Sequence, residues 1–328
     1  MTTAAPLPRL LPLTPQYRER VWGGQQLRPA DFTKADSGTP IGEAWTAYGE
    51  SVVATGPVAG QTLDALLARG PAARSALLGE RGPAAGGFPL LIKLLDCADW
   101  LSVQVHPDNA QAETMVGPGM LGKTEAWHML RAAPEAQILA GVKAGTTQEA
   151  LTRAIRGGTV LQVAERHTVR AGDTVFIPAG TLHALGPGLL LYEVQQSSDT
   201  TYRVYDWDRP ASAGRALHLE ESVAVARADL RGDITPESRT HGEGELTRCD
   251  YFVLSGLKLD GGDDVQLDTG GKSFQIVTVT SGQAVLSCGD EQLELGTYQT
   301  ALVTGAAGAH SLSALGGEAH VLVAALPG

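Results

Sequence analysis

The chain has 328 residues, with 25 Lys and Arg against 36 Asp and Glu for a formal charge of −11, together with 40 Gly, 18 Pro and 3 Cys. That length supports roughly two domains of about 150 residues and a hydrophobic core that needs no covalent staples. Cys97, Cys249 and Cys288 are odd in number and widely scattered, which argues against a disulfide framework or a thiolate zinc site and for a reducing, cytoplasmic compartment.

The longest apolar runs, 89–95 with Lys93 inside it and 188–192, fall well short of the roughly 20 residues that cross a bilayer, so no membrane association is expected. Residues 1–13 lack a basic segment followed by an unbroken apolar one, and no signal peptide is expected. An acidic balance without a basic block argues against nucleic acid as the partner. Only six residues are Lys (Lys34, Lys93, Lys123, Lys143, Lys258 and Lys272), which makes each of them an uncommon choice.

In chain order, apolar residues at i, i+3, i+4 spacing predict helix over 62–69 and 73–78, followed by strand-like runs at 89–94 and 101–105. Helical spacing returns at 109–116, with Asp108 as N-cap, and a strand is expected at 136–140. A helix over 147–156 takes Thr146 as N-cap and Gly157 as its C′ residue. Strands follow at 174–177 and 189–194, and a last helix at 217–227. The stretch 229–245 is polar and rich in turn formers, and beyond it the strand-like runs are 251–259, 274–279, 284–287, 300–303 and 320–325. Many short strands separated by turn residues predict a β-sandwich or jelly roll decorated by a few helices. A boundary near residue 235 gives a first domain over 1–235, with a helical insert at about 102–158, and a second over 236–328.

Four segments carry chemistry. In Leu101-Ser102-Val103-Gln104-Val105-His106, strand alternation puts Ser102, Gln104 and His106 on one face and the aliphatic residues on the other. Three polar groups on one face need water, partners or a metal. Gly122-Lys123-Thr124-Glu125-Ala126-Trp127 sets a carboxylate beside a lysine, which in isolation is a solvated pair. In residues 172–183, Gly172 opens a strand, Pro178 and Gly180 make a tight turn, and His183 begins the next segment. This Gly-x5-Pro-x-Gly-x2-His spacing resembles the second cupin motif, whose His is a metal ligand. Two His, one Glu and a Gln amide oxygen form an N/O donor set suited to Zn2+, with Mn2+, Fe2+ or Co2+ tolerated. The block 192–206 is dense in groups that bind a polyhydroxylated ligand; Glu193 and Gln195 share a strand face, and the Arg203 guanidinium suits a phosphate or an oxyanion.

Together these segments resemble the type I mannose-6-phosphate isomerases, the zinc-dependent cupin phosphomannose isomerases, in their short bacterial form. The resemblance runs through Leu13-Thr14-Pro15, Val21-Trp22-Gly23-Gly24, Gly42-Glu43-Ala44-Trp45, PLLIKLLD, LSVQVHPD, GKTEAW, the hairpin at 178–183 and EVQQSSDTTYRVYDWDR. It implies a mainly β protein of cupin-type jelly rolls, two cupin-like units with a small helical insert. It also implies one Zn2+ per chain on Gln104, His106, Glu125 and His183, with Arg203 as catalytic arginine and Glu193 as a candidate proton-transfer group, the identity of the base being left open. Lys123 would supply positive charge at the reacting oxygens, and Lys93, Ser102 and Glu43 match substrate-pocket positions. The implied reaction interconverts mannose 6-phosphate and fructose 6-phosphate through a cis-enediol(ate), in a monomer or weak homo-oligomer. The alternatives are a non-catalytic cupin that binds a sugar phosphate and a cupin isomerase with a different hexose-phosphate preference.

Two departures from the family pattern stand out. His128 follows Trp127 where the family often has Tyr; on a strand it faces away from Glu125 and is read as a packing residue or one that supports the site from behind the ligands. Over 296–307 the hairpin spacing persists, but Leu302, Thr304 and Ala307 replace its Pro, Gly and His. That predicts a second cupin-like unit without metal, with His310 and His320 structural or exposed.

Overall fold

A computed structural model describes residues 7–27, 40–210, 215–262 and 264–328; Lys34 lies outside the described residues. By their contacts the residues fall into two compact units, Tyr17–Ala44 with Leu94–Arg239, and Met1–Gln16 with Trp45–Lys93 and Thr240–Gly328. The contiguous division expected near 235 therefore marks only the last of several passages of the chain between units. Long-range strand pairing is the reason: Leu10–Thr14 lies antiparallel to Thr300–Val303, with Leu10 opposite Val303, which binds the start of the chain to its end.

A seven-stranded sheet runs in the order Asp233–Thr235, Thr174–Ile177, Glu125–Ala132, Leu189–Gln196, Leu90–Cys97, Gln16–Gly24, Ile41–Ala47; its first four strands, and residues 94–97, 17–24 and 41–44 of the others, fall in the unit that holds Leu94–Arg239. A five-stranded sheet has the order Tyr202–Tyr205, Val103–Val105, His183–Leu185, Gln137–Val142, Ala164–Thr168. Trp127, Met129, Val175, Leu189 and Leu191 of the first sheet pack on Ile138, Ala140 and Leu185 of the second, so the two inner faces share one core. The opposite face of the five-stranded sheet, carrying Val103, Val105, Ala184, Tyr202 and Val204, is covered by Leu151, Ile155, Val160 and Val225 from helices. Helices lie here because that face of the sheet is apolar and must be covered. The expected insert at 102–158 is a mixture, since the strands Glu125–Ala132 and Gln137–Val142 separate its helices Asn109–Met115 and Gln148–Arg156.

The other unit repeats the plan. A seven-stranded sheet that includes Val253–Leu259, Gln275–Ser281, Thr300–Val303 and Ala319–Ala325 faces the four strands Asp264–Asp268, Ala309–Ala314, Gln283–Cys288 and Glu291–Gly296. Val277, Val303 and Val323 of the first meet Ala284, Leu286 and Leu312 of the second in one core. His310 is buried there with Nδ1 at 3.0 Å from Gly308 O and Nε2 at 3.0 Å from Gln275 Oε1, a structural role, while His320 is exposed. The fold is thus mainly β, two cupin-type sandwiches. Among the described residues no helix is long and apolar enough to cross a membrane.

Helix ends follow local chemistry with one shift from expectation. Asp108 and Gln111 form a reciprocal capping box that starts Asn109–Met115 three residues after His106. Thr147, not Thr146, caps Gln148–Arg156, its side chain accepting from Ala150 N. Gly157 is the C-cap with φ −87°, and Gly158 takes the left-handed position with φ +67°.

Candidate metal centre

Three chain segments deliver the centre. His106 follows the strand Val103–Val105, Glu125 opens Glu125–Ala132, and His183 opens His183–Leu185. Cross-strand register aligns them: His183 pairs with Gln104, and Glu125 pairs with Ile177 and Gln195. Two glycines make the approach possible. Gly180, at φ +88°, turns the hairpin before His183, and its N–H donates to His106 O at 2.8 Å. A Cβ on Gly122 would stand 2.5 Å from the Asp108 carbonyl carbon, so only glycine lets the 122–125 segment close on the His106 loop. There Lys123 N donates to Pro107 O at 3.0 Å.

His106, Glu125 and His183 are all buried, and one potential ligand atom from each lies within 4.8 Å of the others. His106 Nε2 is 3.6 Å from Glu125 Oε2, and His183 Nε2 is 3.3 Å from Glu125 Oε1. The remaining ring nitrogens face backbone carbonyls, His106 Nδ1 at 3.0 Å from Thr200 O and His183 Nδ1 at 2.8 Å from Thr181 O. A carbonyl only accepts, so each Nδ1 carries its proton and each Nε2 presents a lone pair inward. Burial, the largest influence, lowers the His183 pKa despite the opposing Glu125 charge and Thr181 carbonyl, which favours the neutral imidazole.

The donor set fits a divalent cation. His183 Nε2 is buried and has no hydrogen-bond partner, a costly arrangement unless a cation takes the lone pair. Lys123 Nζ lies 2.9 Å from Glu125 Oε2 and 3.1 Å from His106 Nε2, so the Glu125 and His106 donors already face a positive charge. Trp127, on the same strand face as Glu125, sets its ring edge-on to His183 at 5.5 Å and limits that imidazole's rotation.

The other expected residues fall into three groups. Gln104 shares the inward face and stands in register between His183 and Arg203. Arg203 Nε donates to Ser102 Oγ at 3.3 Å, and Glu193 Oε2 accepts from Trp127 Nε1 at 3.0 Å across the strand pair, so these join the same inner face. Glu43 is bound bidentately by Arg20, at 2.9 and 3.1 Å, and Glu43 and Glu193 both help raise the Cys97 thiol, after burial and Asp96. Lys93 belongs to the other unit, its ammonium 5.2 Å from the Trp45 ring centroid. His128 faces away from Glu125, as expected, with Nδ1 at 2.9 Å from Thr174 Oγ1. Arg20 and the Trp127 bond to Glu193 escape sequence reading; an inward arginine three residues before Gly23 was the available signal for the first.

The family model for the phosphomannose isomerase type I catalytic domain matches residues 10–131, a span that holds Gln104, His106, Lys123 and Glu125. A mannose-6-phosphate isomerase from Streptococcus mutans is 37% identical over 292 residues, 86% of this chain and 88% of its own. This chain belongs to the type I phosphomannose isomerase family. The crystal structure of mannose 6-phosphate isomerase from Bacillus subtilis superposes with a TM-score of 0.81 at 29% identity, over 97% of this chain and 99% of that one. A zinc-bound holo structure of a mannose 6-phosphate isomerase gives a TM-score of 0.70 at 16% identity over 96% of this chain and 99% of that one, a likeness of fold alone.

Proposed function

We propose that the chain interconverts D-mannose 6-phosphate and D-fructose 6-phosphate, with one Zn2+ held by His106, Glu125 and His183 and by the Gln104 amide oxygen. The observation that carries this reading is the buried convergence of two inward Nε2 lone pairs and one carboxylate in a chain of this family. A bound Zn2+ supplies Lewis-acid polarisation at the O1/O2 end of the open sugar.

The chain's own residues do the rest. Glu193 takes the proton from C2 and returns it at C1, and the Trp127 N–H keeps its carboxylate in one orientation for both transfers. His183 is not the base, because its Nδ1 proton is bonded to Thr181 O and its Nε2 is a ligand. Arg203 stabilises the cis-enediolate, since its planar fork has N–H donors beyond the two engaged by Ser102 and Ala216. Lys123 adds positive charge beside the same oxygens. Ser102 acts through Arg203, Glu43 lines the substrate pocket, and Lys93 as a substrate residue rests on the resemblance alone.

The test is His106→Ala, with metal content and isomerase turnover measured together. Loss of both is expected. Full turnover by this variant after dialysis against a chelator would refute the metal-dependent mechanism.

A further inference from the structure

We infer that the Arg215–Asp206 ion pair is a positioning latch for the Arg203 guanidinium, acting through the carbonyl of Ala216. The inference rests on the proposed role of Arg203 at the enediolate.

Arg203 lies on Tyr202–Tyr205, and residues 215–218 run beside that strand without regular structure of their own. Two kinds of contact tie them together. At His218, the backbone N donates to Arg203 O at 2.8 Å and the ring Nδ1 accepts from Arg203 N at 3.2 Å. Through side chains, Arg215 grips Asp206 bidentately, Nε to Oδ2 at 2.5 Å and Nη2 to Oδ1 at 2.8 Å. Between these two fixings lies Ala216, whose carbonyl accepts from Arg203 Nη1 at 3.1 Å. Among the described residues the guanidinium's acceptors are Ser102 Oγ, on the metal-site strand face, and a carbonyl one residue from the latch.

Asp206 is itself immobilised. It is buried, and Arg209 holds Oδ1 at 3.0 Å while reaching Asp99 Oδ2 and Trp100 O, each at 2.7 Å. The anchor is thus fixed to the loop that leads into Leu101 and Ser102. Electrostatics fits the same arrangement. The Arg203 pKa is lowered, by burial first and by the Arg215 charge next, while Asp206 opposes that shift. An ungripped Arg215 would be a mobile like charge beside the catalytic one.

The test is a cycle of Arg203→Ala, Arg215→Ala and the double variant, with kcat, KM, metal content and melting temperature read for each. Displacing a catalytic group by about 1 Å costs on the order of 100-fold in rate. Arg215→Ala is expected to lower kcat by about 10- to 100-fold, with KM changed less than about twofold and metal content unchanged. In the Arg203→Ala background the same substitution is expected to change kcat less than about twofold, because the group it positions is gone. Arg215→Lys, which keeps charge but not the two-pronged grip, is expected to fall between, and it replaces Arg215→Ala in the cycle should that variant not fold.

An undiminished effect of Arg215→Ala in the Arg203→Ala background, or a kcat within about twofold of the parent for Arg215→Ala alone, overturns the latch. Full turnover by Arg203→Ala alone refutes the proposed role of Arg203 and the latch with it, an outcome distinct from either of the others.

Discussion

Replacing Glu125 by Gln separates the stability of the centre from its chemistry. The carboxylate is fully buried and stands 2.9 Å from the ammonium of Lys123, which is 4% exposed. At an effective dielectric of about 20, two unit charges at 2.9 Å attract by about 6 kcal/mol, most of it offset by the desolvation of both groups. Removing one partner leaves the desolvation of the other uncompensated, which costs about 3 to 5 kcal/mol. For a unit of this size that corresponds to a fall in melting temperature of about 6 to 20 °C.

The assay is urea and thermal unfolding with chelator present, alongside metal content and turnover. Glu125→Gln is expected to lose stability by that amount together with metal and activity. The double variant Glu125→Gln/Lys123→Met is expected to recover at least half of the stability and neither of the other two, since a buried pair replaced from both sides is close to neutral. A double variant no more stable than Glu125→Gln would refute the view that the stranded ammonium is the cost. Full metal content and turnover in Glu125→Gln would refute its place as a ligand.

Trp127→Phe removes the N–H that Glu193 accepts at 3.0 Å and is expected to lower kcat by about 10- to 100-fold with metal content kept, since a hydrogen bond to a charged group is worth about 1.5 to 3 kcal/mol. An unchanged kcat would show that Glu193 does not depend on that bond. Asp206 gives a pH dependence: burial pushes its carboxyl up, but the hydrogen bonds and charges of Arg215 and Arg209 outweigh burial and hold it below the usual value. Its contribution to stability is therefore complete above an ordinary aspartate pKa of about 3.9 and is lost as the pH falls through the lower folded value. Urea midpoints measured from pH 6 down to pH 3 are expected to fall less steeply for Asp206→Asn than for the parent; parallel profiles would count against the shift.

Much of the site is legible along the chain because strand alternation is a local property. Ser102, Gln104 and His106 share the inward face that a period of two assigns them, and Val103 and Val105 take the helix-covered one. The hairpin before His183 is equally local, since Pro178 and Gly180 define the turn whatever lies around them. Strands such as Gln16–Gly24, Asp264–Asp268 and Glu291–Gly296 are harder to see, because their exposed faces dilute the apolar signal with charged and amide residues. The Thr147 cap shows the same limit on a small scale: adjacent threonines offer equivalent chemistry, and backbone geometry selects one.

The amino-acid sequence by itself determined the family, the mainly β architecture, and the donor types that could meet at a metal, because motif spacing and face alternation are written residue by residue. Only the tertiary structure decided that the chain weaves between two units, that Arg20 grips Glu43, that Trp127 donates to Glu193, and that Arg215 pairs with Asp206. Each of these depends on strand register or on side chains meeting from separate segments. Such contacts are set by the packing of whole sheets and leave no periodicity in the local sequence.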